Sequence, residues 1–204
     1  MKGEFKNKNV MPRSGDALIV VDVQRDFLPG GSLAVAHGDE VVAPLNRYMR
    51  IFEQKGLPVF ATRDWHPADH CSFRGQGGRW PVHCVVDTPG AEFAPGLELP
   101  THTRIVSKDT EPDQETYSGF QAMEMNLAGR LRELGVNRLF IGGIATDYCV
   151  LFTVLDALAA GFEVCLLEDA IRPVEVVAGD GEAAIREMQG RGAVPVALEQ
   201  LAVA

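Results

Sequence analysis

The chain lacks any apolar stretch near the ~20 residues that a bilayer-spanning helix requires. Its longest stretches, such as 17–21 and 150–154, the second interrupted by Thr153, fall far short of that, so no membrane span is expected. It also lacks a basic surplus: 19 Lys plus Arg stand against 28 Asp plus Glu, a formal charge of -9, and the basic residues are scattered singly. A nucleic-acid footprint needs them clustered, so nucleic acid is not an expected partner. Cysteine is sparse, with four in 204 residues (Cys71, Cys84, Cys149, Cys165), which excludes a disulfide scaffold and leaves thiols in a reducing compartment. Internal repeats and low-complexity tracts are missing as well. The opening MKGEFKNKNV is polar, and no apolar core follows before Arg13 and Asp16, unlike a secretory signal. Residues 1–15 are therefore read as a loosely held polar arm, residues 16–204 as one domain, and the protein as cytoplasmic.

Apolar residues make up 46% of the chain, enough for a core that buries about 70% of the unfolded surface at this length. Short runs rich in Val and Ile alternate with helical patterns, the sequence form of an α/β fold with a mostly parallel sheet. Strands are expected at 17–23, 58–62, 104–107, 138–143, 163–167 and 194–198. Asp39 can cap a helix carrying Val42, Leu45, Met49 and Phe52, with Pro44 tolerable only near its first turn and Gly56 as its stop. Met123, Leu127, Leu131 and Leu134 form one face of a second helix, closed by Gly135. Asp147 precedes a third, nearly all-round apolar helix, expected to be central and buried. Residues 64–103, rich in Gly, Pro and His, form a long irregular segment, and a loop this long is usually functional.

Three constellations carry chemistry. In GGIATDYCV (142–150) a strand runs through glycines into a helix start that holds Cys149. Backbone N–H groups and the positive dipole end there favour a thiolate and can hold an oxyanion; a small buried core residue is the plainer reading. Asp22 lies in the apolar strand LIVVDV and needs a partner, while Lys108 ends the strand IVSK. With strand order 3-2-1-4-5-6, Asp22, Lys108 and Cys149 converge at the carboxyl edge; a purely structural Asp22–Lys108 pair is the alternative. The third constellation is RDWHPADHCSF (63–73) with RWPVHC (79–84), which offers Asp64, His66, His70 and His83. Asp64 and His66 sit two apart, on one side of an extended segment, and such mixed N/O donors suit zinc, iron or manganese. A closed Cys/His zinc site built from His70–Cys71 and His83–Cys84 competes, although neighbouring residues of extended backbone point to opposite sides.

The chain resembles the nicotinamidase/pyrazinamidase branch of the isochorismatase-like cysteine hydrolases over roughly residues 16–198. The resemblance is carried by VVDVQRDFLPGGSLAV (20–35), TRDWHPADHCSF (62–73), WPVHCVVDTPGAEF (80–93), SKDT (107–110), YSGF (117–120) and GIATDYCV (143–150). It implies a three-layer α/β/α fold with a six-stranded Rossmann-like sheet, and a triad of Asp22, Lys108 and Cys149. It further implies one divalent ion, zinc ahead of iron or manganese, on Asp64, His66 and His83. His70 is then either another ligand or a neighbour of bound water. Phe27, Leu33, Trp80 and Tyr117 match pocket-wall positions, and a cis peptide between Ile144 and Ala145 would aim the N–H groups of Ala145 and Cys149 at a substrate oxygen. Tyr148 departs from relatives that carry His there, which bears on fine substrate preference. The implied reaction is hydrolysis of a small amide, nicotinamide to nicotinate and ammonia or pyrazinamide to pyrazinoate, through a Cys149 thioester, in a possible homo-oligomer. Another amide or ureide hydrolase of the family, a non-catalytic phospho-receiver and a metal-binding module are the rival readings.

Overall fold

The runs rich in Val and Ile form six strands, β1 (Asp16–Val21), β2 (Val59–Asp64), β3 (Arg104–Lys108), β4 (Arg138–Ile144), β5 (Glu163–Arg172) and β6 (Val194–Val196), in a computed structural model that describes residues 10–201. All pair in parallel in the order β3-β2-β1-β4-β5-β6, as expected. Every residue of β1 is buried, and its side chains alternate between two cores. Leu18 and Val20 pack with Leu45, Met49 and Phe52 of α1 (Val42–Gln54). Ala17, Ile19 and Val21 join the opposite core with Leu127 and Leu131 of α2 (Leu127–Glu133), Val154 of α3 (Leu151–Ala159) and Met188 of α4 (Asp180–Arg191). A parallel strand covered on both faces has no polar face to show, which is why these segments read as continuous apolar runs. Among the described residues no helix is long and apolar enough to cross a membrane.

Several local expectations shift. Asp39 does not cap α1: a 3-10 turn, Gly38–Val41, intervenes, and the Val42 N–H bonds the Asp39 carbonyl instead of its side chain. Pro44 falls on the third residue of α1, where its missing N–H is harmless. Met123 lies outside α2 and is 67% exposed, because Asn126 begins that helix by accepting the Gly129 N–H at 2.9 Å. The third helix starts with a π turn, Thr146–Val150, ahead of α3, and is buried on one side only, at Thr153, Val154 and Ala157, with Phe152 exposed. Of the expected arm, residues 1–9 lie outside the described residues; further on, Arg138 donates to the Met11 carbonyl at 3.2 Å.

Two features aim this scaffold. Gly143 has φ 133°, and a Cβ there would stand 2.0 Å from the Val21 carbonyl oxygen, so only glycine lets β4 close on the end of β1. Residues between β2 and β3 stay irregular but tethered, through the parallel bridges His66–Val85 and Phe73–Trp80.

Candidate active site

Parallel strands place all their carboxyl ends on one edge, and four sequence candidates meet there. Asp64 and Lys108 end β2 and β3 and are direct register partners. Asp22 lies one residue past the end of β1 rather than inside the strand, with φ 47°, a left-handed conformation that a non-glycine residue holds at a cost of about 1–3 kcal/mol. Cys149 is the fourth residue of the π turn that follows β4.

Lys108 Nζ is the hub. It hydrogen-bonds Asp64 Oδ1 and lies 3.1 Å from Asp22 Oδ2, 3.4 Å from Asp109 Oδ2 and 3.5 Å from Cys149 Sγ. Burial alone would lower its pKa, but Asp22 and Asp64 outweigh burial and hold the ammonium charged, well above the usual lysine range. Thr62 Oγ1 donates to Asp22 Oδ1 at 2.6 Å. Asp22 Oδ2, fully buried, has its ion pair but makes no hydrogen bond among the described residues, so it is the oxygen open to a proton. Burial, and after it the Asp64 charge, raise the Asp22 pKa despite Lys108. The Cys149 thiol is pushed well up by burial and by Asp22 and Asp64, against the pull of Lys108. The helix start and Lys108 favour the thiolate, while burial and the two neighbouring carboxylates oppose it, so the thiol proton needs a base, and Asp22 is beside it.

This arrangement makes Lys108 structural as well as chemical. Lys108→Ala leaves three buried carboxylates facing one another without a cation. Stability should fall by about 3–5 kcal/mol, read as a shifted denaturation midpoint. A loss within 0.5 kcal/mol, the usual scatter of neutral surface changes, would show the carboxylates neutralised by other means.

Next to the hub, donor atoms of Asp64, His66 and His83 lie within 4.8 Å of one another. His66 Nδ1 donates to the His83 carbonyl at 3.0 Å and His83 Nδ1 to the Pro81 carbonyl at 2.8 Å, so each ring turns an Nε2 lone pair inward. Burial pushes His66 down to about 4 and lowers His83, which keeps both rings neutral at neutral pH. Burial would raise Asp64, but Lys108, His66 and His83 hold it at about 2. Two imidazole lone pairs and a carboxylate converging without a proton between them fit a divalent cation, with backbone carbonyls fixing the tautomers.

His70 differs. Its Nδ1 faces Ser72 Oγ at 2.7 Å and its Nε2 the Gln114 carbonyl at 3.0 Å, so both nitrogens are engaged within the protein, although it also clusters with His66 and Asp109. Neither Cys71 nor Cys84 joins a cluster of ligand atoms among the described residues, as the opposed side chains of adjacent residues require; the Cys84 N–H instead bonds Asp26 Oδ2 at 2.7 Å.

Between the thiol and these donors opens a small cavity. Phe27, Leu33, Trp80 and Tyr117 all line it, together with Ala145, whose peptide bond to Ile144 is cis. Tyr148 also lines it, edge-on to Trp80 with ring centroids 5.0 Å apart. Sequence reasoning missed Gln24, Thr62, Asp109, Glu115 and Val174. Gln24 is fully buried, and its amide clamps Asp64 from both sides, Nε2 to the Asp64 carbonyl and Oε1 from the Asp64 N–H, each at 2.8 Å. Its signal was readable: a second polar residue in the apolar run VVDVQ needs a buried partner as much as Asp22 does.

Residues 16–200 match the isochorismatase domain. The chain belongs to the isochorismatase family. Nicotinamidase from Escherichia coli (strain K12) is 37% identical over 196 aligned residues, which cover 87% of this chain and 92% of that one. Pyrazinamidase of Pyrococcus horikoshii, solved in complex with zinc, is 52% identical with a TM-score of 0.85, covering 90% of this chain and 99% of its own. PnC1 from L. infantum, in complex with nicotinate, is 36% identical with a TM-score of 0.86, covering 94% and 97%. In this isochorismatase-family chain the six segments that carried the sequence resemblance all fall inside the matched span.

Proposed function

We propose that the protein hydrolyses nicotinamide to nicotinate and ammonia, and pyrazinamide to pyrazinoate. The observation that carries this reading is the convergence of Asp22 and Cys149 on Lys108, with Asp22 Oδ2 3.1 Å and Cys149 Sγ 3.5 Å from Lys108 Nζ, at a cavity whose wall also carries Asp64, His66 and His83. The relatives named above, a nicotinamidase and a pyrazinamidase, support the substrate class.

In this mechanism Asp22 takes the Cys149 proton as sulfur attacks the carboxamide carbon. Backbone N–H groups of Ala145 and Cys149 stabilise the oxyanion. As the C–N bond breaks, protonated Asp22 returns its proton to the departing nitrogen, leaving ammonia and a Cys149 thioester. Asp22 then deprotonates water, which attacks the thioester, and the C–S bond breaks to give the carboxylic acid and the free thiol. Lys108 keeps its charge throughout and offsets the negative charge that moves between Asp22 and sulfur. Phe27, Leu33, Trp80 and Tyr117 hold the ring and exclude water. Asp64, His66 and His83 would hold a divalent ion, zinc ahead of iron or manganese, which supplies an electrophilic anchor for the ring nitrogen. His70, its ring packed against His66 with centroids 4.5 Å apart and both nitrogens engaged by Ser72 and Gln114, stands beside this donor set as a neighbour rather than a ligand. The reading keeps residues 16–204 as one hydrolase domain acting in the cytoplasm.

Ammonia release from nicotinamide, pyrazinamide and aliphatic amides, with metal content measured on the same sample, tests it directly. A phospho-receiver or metal-binding module would release none. Asp22→Asn can neither take nor return a proton at neutral pH, so kcat should fall by about 10²–10⁴-fold with little change in KM. A raised KM at unchanged kcat would make Asp22 a binding residue and overturn this mechanism.

A further inference from the structure

Asp147, two residues before Cys149, is buried, and its carboxylate caps no helix: it reaches across to the segment that follows β5. Oδ1 accepts the Val174 N–H at 2.9 Å and Oδ2 the Glu175 N–H at 2.8 Å. Two successive N–H groups gripped by one carboxylate fix the path of that backbone, including Glu175 at φ 51°. The far side of the segment is tied separately. Arg172 pairs with Glu40 at 2.8 Å, and the Glu175 carboxylate accepts the Gly179 and Gly181 N–H groups at 3.4 and 3.3 Å, at the start of α4. What this bracing holds in place is Val174, whose side chain lines the active cavity, while Val176 and Val177 beyond it stand exposed.

We propose that Asp147 is a positioning residue for substrate binding: it ties the nucleophile turn to the cavity wall and acts through Val174, setting affinity for the ring rather than the rate of bond making. The kinetic half of this inference rests on the amidase reading above; the structural half does not. A carboxylate is required because both partners are donors. Asparagine keeps one acceptor and turns an NH₂ toward the other N–H, and alanine keeps none.

The test uses Asp147→Asn, Asp147→Ala, Val174→Ala and the double variant Asp147→Asn/Val174→Ala. Amide hydrogen exchange of Val174 and Glu175 should quicken about tenfold in Asp147→Asn and further in Asp147→Ala. For nicotinamide, KM should rise about tenfold in Asp147→Asn with kcat within about threefold of wild type. Val174→Ala should raise KM too, and the double variant should be no worse than Asp147→Asn, because both changes remove one contact. Unchanged exchange, or a fall in kcat at constant KM, would overturn the proposal, the second by showing that Asp147 only supports the Cys149 turn. Additive KM effects would overturn the route through Val174. Should Asp147→Ala fail to fold, the asparagine variant and the cycle still decide. A wild-type protein that releases no ammonia from nicotinamide sinks the amidase reading alone, and the exchange comparison still decides the role of Asp147.

Discussion

Cys149→Ala should lower turnover of nicotinamide by about 10⁴-fold or more while the protein keeps its fold and its metal content. The expected loss is this large because sulfur forms the covalent bond in this mechanism, while Lys108 is held as an ammonium and Asp22 serves as the proton carrier beside it. The fold should tolerate the change, since the group removed is a neutral thiol and the Asp22–Lys108–Asp64 ion cluster stays intact. Metal content should hold because Asp64, His66 and His83 form a donor set that does not include Cys149. The complementary measurement is trapping. An aldehyde analogue of nicotinamide, or the nicotinoyl thioester caught by acid quench, should add its mass to the Cys149 peptide. The peptides of Cys71, Cys84 and Cys165 should stay unmodified, since these residues lie away from the cavity lining. Substantial residual turnover, or an adduct on another cysteine, would overturn covalent catalysis at Cys149.

How much of this site could be read from the chain depends on how far each residue's partner lies along it. Asp22 and Lys108 were legible because a charge at the end of an apolar strand has a burial cost that demands a partner, and strand order alone brings those ends together. Asp64 and His66 were legible from their two-residue spacing, which an extended segment turns into a shared side. The six strands were legible because β1 is buried on both faces and carries no competing polar pattern. By contrast, Gln24 grips Asp64 from 40 residues away and Asp147 holds Val174 across 27, and no periodicity encodes either pairing. The charge balance at Cys149 is only partly legible for the same reason. The helix start is local and visible in GGIATDYC, whereas the opposing charges of Asp22 and Asp64 arrive only with the fold. Met123 shows the limit of spacing itself: it fits the α2 stripe by count, but the Asn126 cap starts the helix beyond it.

The metal should matter to activity far more than to folding. Stripping it with a strong chelator is expected to cut nicotinamide turnover by about 10²-fold or more, the scale of losing an electrophilic anchor worth several kcal/mol, while far-UV circular dichroism stays native. The donor set explains the asymmetry. Without an ion, Asp64 keeps its Lys108 partner and its Gln24 clamp, and His66 and His83 keep their carbonyl hydrogen bonds, so the segment stays anchored to β2. A structural zinc behaves otherwise, because its binding energy is folding energy and chelation unfolds the chain. Added zinc should restore the chelated enzyme but not His66→Ala, which lacks one of the two inward nitrogens. Benzamide sharpens the test. It has the ring and carboxamide of nicotinamide but no ring nitrogen, so the metal-bearing enzyme should strongly prefer nicotinamide, and chelation should shrink that preference by slowing nicotinamide alone. If benzamide is hydrolysed as fast as nicotinamide by the metal-bearing enzyme, the ring nitrogen is not what Asp64, His66 and His83 select. The cavity would then serve another amide or ureide, with Cys149 chemistry unchanged.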